Sequence, residues 1–457
     1  MENPSNKAII EFLEHKIGID IIPYLATKRD ISQSLSMYLK DIGKAFEDVI
    51  RESVEQASGK KTDSIEPPII KIVDTILSYA YENNASDVHL EPGVTHSIVR
   101  FRIDGILHDI IEFSLDIYPQ IVTRVKVMSK LRTDEKQTPQ DGKITFEIDA
   151  TALDIRVSTV PVKRGEKIVM RLLSEKSRRI SLQSLGFSEK DLEKVTTAYK
   201  KPYGMILSTG PTGSGKTTTM YAILKLLNNR DVNIMTVEDP IEYDLEGVNQ
   251  IQVNPKADLT FAAGLRSILR QDPNIILVGE IRDEETADIA INASMTGHLV
   301  LSTLHTNDAA TAIPRLLDMN IEPFLLASTI NAVIAQRLVR KIHEACRVSD
   351  QITVEKLTDF LDRPTIEKTF GDQQNISLYK GKGCPICHGS GYEGRIGIYE
   401  VMEINENIKQ AIVDKKDSSA IHSLSLQNGM QTMLMDGLEK VKAGQTTIEE
   451  LLRVTKV

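Results

Sequence analysis

Residues 204–219 read GMILSTGPTGSGKTTT. Met205 to Ser208 is a short apolar run with the length of a buried strand, and Thr218 to Leu227 has helical patterning. Between them Gly210, Pro211, Thr212, Gly213, Ser214, Gly215, Lys216 and Thr217 spell Gly-x-x-x-x-Gly-Lys-Thr, with Thr218 following. Strand, glycine loop and helix form the context in which that spelling carries chemistry. The glycines open backbone dihedrals closed to other residues. The loop amides can then turn inward on phosphate oxygens at a helix N-terminus, whose dipole favours negative charge. Lys216 is placed to reach the β- and γ-phosphates of a nucleotide, and the Thr217 hydroxyl to hold Mg²⁺. A glycine-rich turn that binds nothing is the bland alternative, and the complete octet disfavours it.

Outward from this loop, residues 195–340 alternate strands and helices, the pattern of a parallel sheet covered on both faces. Ligands on such sheets sit at the carboxyl ends of the strands, so polar residues that follow apolar runs matter most. Asn233 to Val237 ends in Glu238-Asp239-Pro240, with Glu242 close behind. Ile275 to Val278 ends in Gly279-Glu280, a Walker B strand whose carboxylate can order Mg²⁺ waters or polarise an attacking water. Leu299 to Thr303 ends near His305, and His298 precedes it; a neutral imidazole there can sense a γ-phosphate. The Glu238 and Glu242 carboxylates can orient water, although for Glu242 a charged turn at Pro240 is an equal reading. Arg266 and Arg270 are four apart and are expected on one helix face, to meet phosphate, a neighbouring subunit or surface acids.

A chain of 457 residues suggests about three domains. Its net charge of −9 argues against broad nucleic-acid binding. No apolar run approaches the ~20 residues needed to cross a bilayer, and no signal peptide opens the chain. Any membrane role is therefore expected through partners. Residues 1–45 carry two short helical patterns, Lys7 to Leu13 and Ile31 to Leu39, too little for a core alone. Residues 46–67 read as a linker. Residues 68–190 read as an α+β domain, with strand-like runs at 87–90, 97–103, 105–111, 144–148, 153–160 and 167–172. Most of its arginines read as a solvated face, but Arg156 and Arg171 lie on strands among apolar neighbours and are candidates for a directed role.

Three cysteines without an export signal point to a reducing compartment, and an odd count excludes full disulfide pairing. Cys384-Pro385-Ile386-Cys387 is a knuckle of two thiols, and His343-Glu344-Ala345-Cys346 repeats its spacing with an imidazole first. His343, Cys346, Cys384 and Cys387 make a Cys₃His zinc site within residues 341–395, the alternative being free thiols and a surface histidine. A filled site contributes on the order of 10 kcal/mol to local folding. Residues 396–457 read as a small helical bundle, with Met430, Met433 and Met435 as core filling.

The chain resembles the secretion ATPases of type II secretion systems and type IV pilus assembly. The likeness covers residues 68–457 and rests on runs such as Ala85-Ser86-Asp87-Val88-His89-Leu90-Glu91-Pro92 and Pro139-Gln140-Asp141-Gly142. Val237-Glu238-Asp239-Pro240-Ile241-Glu242, Val278-Gly279-Glu280-Ile281-Arg282-Asp283, Ser302-Thr303-Leu304-His305-Thr306-Asn307 and Gly391-Tyr392-Glu393-Gly394-Arg395 extend it. The resemblance implies an α/β fold: a P-loop, RecA-like domain, preceded by a smaller α+β domain and followed by a zinc-knuckle and helical region. It implies a homo-hexameric ATPase, cytoplasmic and peripheral at the inner membrane, using ATP and Mg²⁺ with zinc at the knuckle. The α+β domain would cover the neighbouring nucleotide site, with Arg156 and Arg171 helping to neutralise phosphate. Glu280, Lys216, Glu238, Glu242 and His305 would complete the catalytic set. The cycle would turn an inner-membrane platform protein and add pilin-like subunits to a fibre.

This chain departs from the family pattern in places. His343 stands where the family has its first cysteine, Gln137 where it has an arginine, and Lys143 is the basic residue after the Pro-Gln-Asp-Gly run. Residues 1–45 resemble the second half of the family's docking domain, so Met1 reads as an internal start. Two other classes compete: a P-loop ring motor for DNA uptake or translocation, disfavoured by the acidic balance, and a scaffold without hydrolysis. A retraction motor fits less well, because the cysteine-bearing insert belongs to assembly-type members.

Overall fold

The computed structural model describes residues 66–148, 151–173, 181–384, 387 and 389–455, with Ile10, Glu14 and residues 21–25. The expected docking remnant and linker lie almost entirely outside these residues. The chain divides into two compact units. One takes residues 1–175 with 342–348 and 381–393; the other takes 176–341, 349–380 and 394–457.

In the first unit, helix Glu66–Glu82 precedes strands β1 (Asp87–Pro92), β2 (His96–Ile103) and β3 (Ile106–Ser114), then helix Tyr118–Met128, then β4 (Gln140–Ile148), β5 (Thr151–Val162) and β6 (Gly165–Leu173). They form one six-stranded sheet in the order β3-β2-β1-β6-β5-β4. Alternation dictates its two faces. Val88, Leu90, Val99, Phe101, Ile155, Val157, Ile168 and Met170 point into a core closed by Ile72, Ile76, Ile121 and Val125 of the two helices. Arg100, Arg156 and Arg171 are among the residues on the other face. Arg156 and Arg171 are register partners across β5 and β6, and Arg171 Nε donates to Asp87 Oδ1 at 3.0 Å.

In the second unit, helix Glu189–Tyr199 is capped by the Ser188 hydroxyl. Then come β7 (Gly204–Thr209), β8 (Ile234–Glu238), β9 (Val248–Gln252), β10 (Ile275–Val278), β11 (Leu299–Leu304) and β12 (Ile330–Ile342). β13 (Arg347–Thr353) and β14 (Asn375–Gly381) follow, and then β15 (Tyr392–Glu403). The large sheet runs β15-β12-β7-β11-β10-β8-β9, while β13 and β14 pair separately. β7 lies parallel to β11 and β12, and β10 lies parallel to β8 and β11. Every residue of β7, β8, β10 and β11 is buried, as expected of strands covered on both faces.

Helices Glu406–Val413, Ser418–Gln427 and Met433–Lys442 match expectation, and a further helix, Ile448–Thr455, closes the bundle. Met430 and Met433 are buried in its core and Met435 packs on it. One helix is shorter than expected: Phe261–Ile268 ends before Arg270. Arg270 therefore folds back on the helix end, donating to Arg266 O and Ser267 Oγ, while Arg266 pairs with exposed Glu285 at 2.5 Å. Among the described residues no helix is long and apolar enough to cross a membrane.

Candidate functional site

The carboxyl ends of β7, β8, β10 and β11 meet in the second unit. β7 runs into the glycine loop, and helix Lys216–Leu227 starts directly after it. Gly210 has φ +144°, and a Cβ there would stand 2.4 Å from Gln336 O and 2.7 Å from Ser214 Oγ. No side chain fits, so the loop can close tightly. Gly215 caps the helix at φ +92°. The helix N-terminus thus faces the inside of the loop, the geometry that receives phosphate.

Lys216 is buried, its ammonium donating to Gly210 O at 2.9 Å and Pro211 O at 3.1 Å. Burial pushes its pKa down, and the Glu280 carboxylate pulls the other way. The lysine therefore holds the loop's own carbonyls and stands near the Walker B acid. Ser214 Oγ is buried with no hydrogen-bond partner. An orphaned hydroxyl inside a phosphate loop fits an oxygen-rich ligand. Thr217 and Thr218 occupy the first turn of the helix. Thr217 would hold Mg²⁺, the ion that offsets phosphate charge when nucleotide binds.

Glu280 follows β10 and is nearly buried. Arg282 Nη2 lies 2.5 Å from its Oε1, and His305 Nε2 lies 3.3 Å from its Oε2. Sequence reasoning placed Glu280 and His305 at strand ends, and the fold brings them into contact. Arg282, the third member of the same cluster, was not singled out. His298 does not join it. It precedes β11 while His305 follows, and six strand residues separate them by about 20 Å. Its Nδ1 pairs with Ala293 O at 2.9 Å instead, within the turn that ends helix Glu284–Met295.

Glu238 is buried at the end of β8. Its carboxylate accepts from the Tyr221 hydroxyl, from Thr236 Oγ1 at 2.6 Å and from Gln250 Nε2 at 3.1 Å. The Glu242 amide donates to the same Tyr221 hydroxyl at 3.4 Å. Burial beside the Glu238 carboxylate pushes the Tyr221 pKa up, so it stays a donor. The acid is thereby tied to the helix that begins with Lys216.

A residue the sequence reading missed underpins the loop. Gln336, on β12, is buried. Its Nε2 donates to Ser214 O at 2.9 Å, and its Oε1 accepts from Ser208 Oγ at 3.2 Å and Thr219 Oγ1 at 2.8 Å. One amide thus ties the strand, the loop and the helix together. A second tie joins the strand ends, where the Thr306 amide donates to Thr209 Oγ1 at 2.9 Å.

The candidate metal ligands also converge. One donor atom from each of His343, Cys346, Cys384 and Cys387 lies within 4.8 Å of the others. Cys384 Sγ is 3.3 Å from His343 Nδ1 and 3.7 Å from Cys387 Sγ. Burial pushes the Cys346 thiol up to about 11. Burial acts on Cys387 in the same direction, but the Cys384 and Gly391 amides, 3.1 and 3.2 Å away, outweigh it and hold that thiol low. Three thiols and an imidazole at this spacing fit Zn²⁺.

The family model described as "Type II/IV secretion system protein" matches residues 62–453. The chain belongs to this family. It is 46% identical to the type II secretion system protein E of Dickeya dadantii over 93% of this chain and 83% of that protein. It is 39% identical to the type IV pilus assembly ATPase PilB of Myxococcus xanthus over 99% of this chain and 81% of that one. Among solved structures, the pilus retraction motor PilT with bound ADP is similar over 84% of this chain and 97% of that one, at 26% identity and a TM-score of 0.57. The family's coarse activity, that of an ATPase, belongs to this chain, and the glycine loop, the Walker B acid and the parallel sheet are where such an activity resides.

Proposed function

We propose that the chain is a hexameric motor that hydrolyses ATP to ADP and phosphate and spends the resulting domain motion on adding pilin-like subunits to a pilus or secretion fibre. The observation that carries this reading is the meeting of Lys216, Glu280 and His305 around one phosphate loop. On ATP binding, Lys216 exchanges the Gly210 and Pro211 carbonyls for β- and γ-phosphate oxygens. Glu280 orients the attacking water and takes its proton as the new P–O bond forms and the bond to ADP breaks. His305, touching Glu280, reports whether the γ-phosphate is present. Arg156 and Arg171 are the candidates for charge neutralisation from an adjacent domain, which requires Arg171 to leave Asp87. An arginine acting across subunits is worth ~10³–10⁵ in rate, so turnover should rise with assembly.

The domain limits stated above, 68–190, 195–340, 341–395 and 396–457, are proposed as the moving parts, with an inner-membrane platform protein as the partner and no nucleic acid. Steady-state phosphate release from the purified chain tests the reading. Lys216→Ala should abolish turnover with the fold intact, and Glu280→Gln should retain ATP binding with slow turnover. Wild-type rates in either variant would remove that residue from the mechanism. DNA-stimulated turnover with a steep salt dependence would favour the DNA motor instead.

A further inference from the structure

The metal cluster contains a group that its four ligands do not include. His343 presents two different faces. Nδ1 looks at Cys384 Sγ, 3.3 Å away, and Nε2 looks at Glu393 Oε2, 3.4 Å away. The ring is buried, whereas the Glu393 side chain is largely exposed at 64%. An imidazole can ligate a metal only through a nitrogen that carries a lone pair. The nitrogen facing the thiols is Nδ1, so the proton must reside on Nε2, where Glu393 stands to accept it. The backbone holds this arrangement, because the His343 amide donates to Gly391 O at 3.0 Å, two residues before Glu393.

We infer that Glu393 is a positioning residue for the zinc site: it fixes the His343 tautomer and ring orientation so that Nδ1 is the fourth ligand. The inference rests on the zinc reading and deepens it. It also explains how a histidine serves where three neighbours are thiolates. A thiolate needs no tautomer, but an imidazole does, and an outer carboxylate is the usual means of setting it. Glu393 lies within strand β15 (Tyr392–Glu403), so the group that sets the ligand is anchored by regular structure rather than by a loop.

Zn²⁺ affinity of the full chain, measured by competition with a chelating dye, tests this. Five proteins are needed: the parent, Glu393→Ala, His343→Cys, the double variant and Glu393→Gln as the conservative control. Glu393→Ala should weaken Zn²⁺ binding about 10–100-fold. Glu393→Gln, which keeps an acceptor oxygen, should recover part of that loss. In the His343→Cys background, Glu393→Ala should change affinity less than about twofold, because no tautomer remains to be set. The Co²⁺ spectrum of the parent should show one nitrogen and three sulfur ligands, and Glu393→Ala should alter it. Equal affinities for parent and Glu393→Ala, or the same loss in both backgrounds, would overturn the inference while leaving the zinc site standing. A parent that takes up neither Zn²⁺ nor Co²⁺ would overturn the zinc reading itself, and the inference with it.

Discussion

Replacing Gln336 with leucine keeps the volume and removes three hydrogen bonds, at 2.9, 3.2 and 2.8 Å, from the floor of the phosphate loop. Their costs are unequal. The Ser208 and Thr219 hydroxyls can rotate, and Thr219 has the Gly215 carbonyl of its own helix within a turn. Ser214 O cannot rotate away, since the loop fixes it. The expected cost is therefore close to that of one orphaned buried carbonyl, about 1–3 kcal/mol. How this divides between fold and ligand is the informative part. Ser214 lies in the loop that must wrap phosphate, so a carbonyl seeking another donor distorts the bound loop more than the empty one. ATP affinity should fall about tenfold, the equivalent of 1.4 kcal/mol, with a smaller loss in thermal midpoint. Fluorescent-nucleotide titration and a melting curve read the two separately. A lowered midpoint with unchanged nucleotide affinity would refute the assignment and leave Gln336 a core residue only.

The Glu450 carboxyl, on helix Ile448–Thr455, gives a pH prediction. Burial alone would raise its pKa, but hydrogen bonds from Arg453 and Arg340 outweigh burial and bring it from 4.5 to about 2. A depressed acid stabilises fully above its unfolded pKa, and that contribution is lost as pH falls from about 4.5 towards 2. The shift corresponds to about 3 kcal/mol at neutral pH. Glu450→Gln should therefore lower the urea midpoint at pH 7 and flatten its acid limb, and a parallel acid limb would count against the linkage. Chelation should expose all three cysteines to a thiol reagent that reacts slowly with the metal-loaded chain; equal reactivity before and after would argue against bound metal. His305→Ala should slow turnover, whereas His298→Ala should lower stability without changing the rate per folded molecule. Steady-state kinetics beside a melting curve separates these two outcomes.

Much of the fold was legible because its signals are local. Period-two alternation in β2 and β6 gave the strands of the first unit, and the fully apolar runs of β7 and β10 gave buried parallel strands. Gln336 was hidden for the opposite reason. It lies 122 residues beyond the Ser214 it holds, in a strand where its amide belongs to no motif. Only the pairing of β12 beside β7 brings it under the loop. Arg282 was legible as a letter but not as a partner, since an exposed arginine two residues after an acid is more often solvated. The two histidines show the limit of reading residues as a pair. They flank one strand, and a strand separates its flanks by its whole length. Arg270 missed its helix because the helix ends at Ile268, ahead of the Gln271-Asp272-Pro273 breaker.

The acids at the strand ends differ in a way that bears on the roles proposed for them. A group that orients and deprotonates water needs an oxygen that can exchange its present partner for that water. Glu238 has none to spare: it is buried, and it receives Tyr221, Thr236 and Gln250 together. Releasing the Tyr221 or Thr236 hydroxyl would cost a buried hydrogen bond, about 1–3 kcal/mol if the donor finds no other partner. Among the described residues Glu280 forms ion pairs with Arg282 and His305, and both are more exposed, at 64% and 49% of their side-chain surface. Those partners can swing into solvent at little cost, since ion pairs with exposed groups are worth about 1 kcal/mol or less. On the mechanism proposed above, this difference favours Glu280 as the group that takes the proton. Glu238 is left to hold Tyr221, and through it the helix that carries Lys216, in register with the strand end. Tyr221→Phe separates the two roles: it should weaken nucleotide binding through the helix while leaving turnover at saturating ATP unchanged. A marked loss of turnover at saturating ATP in that variant would return the proton to Glu238.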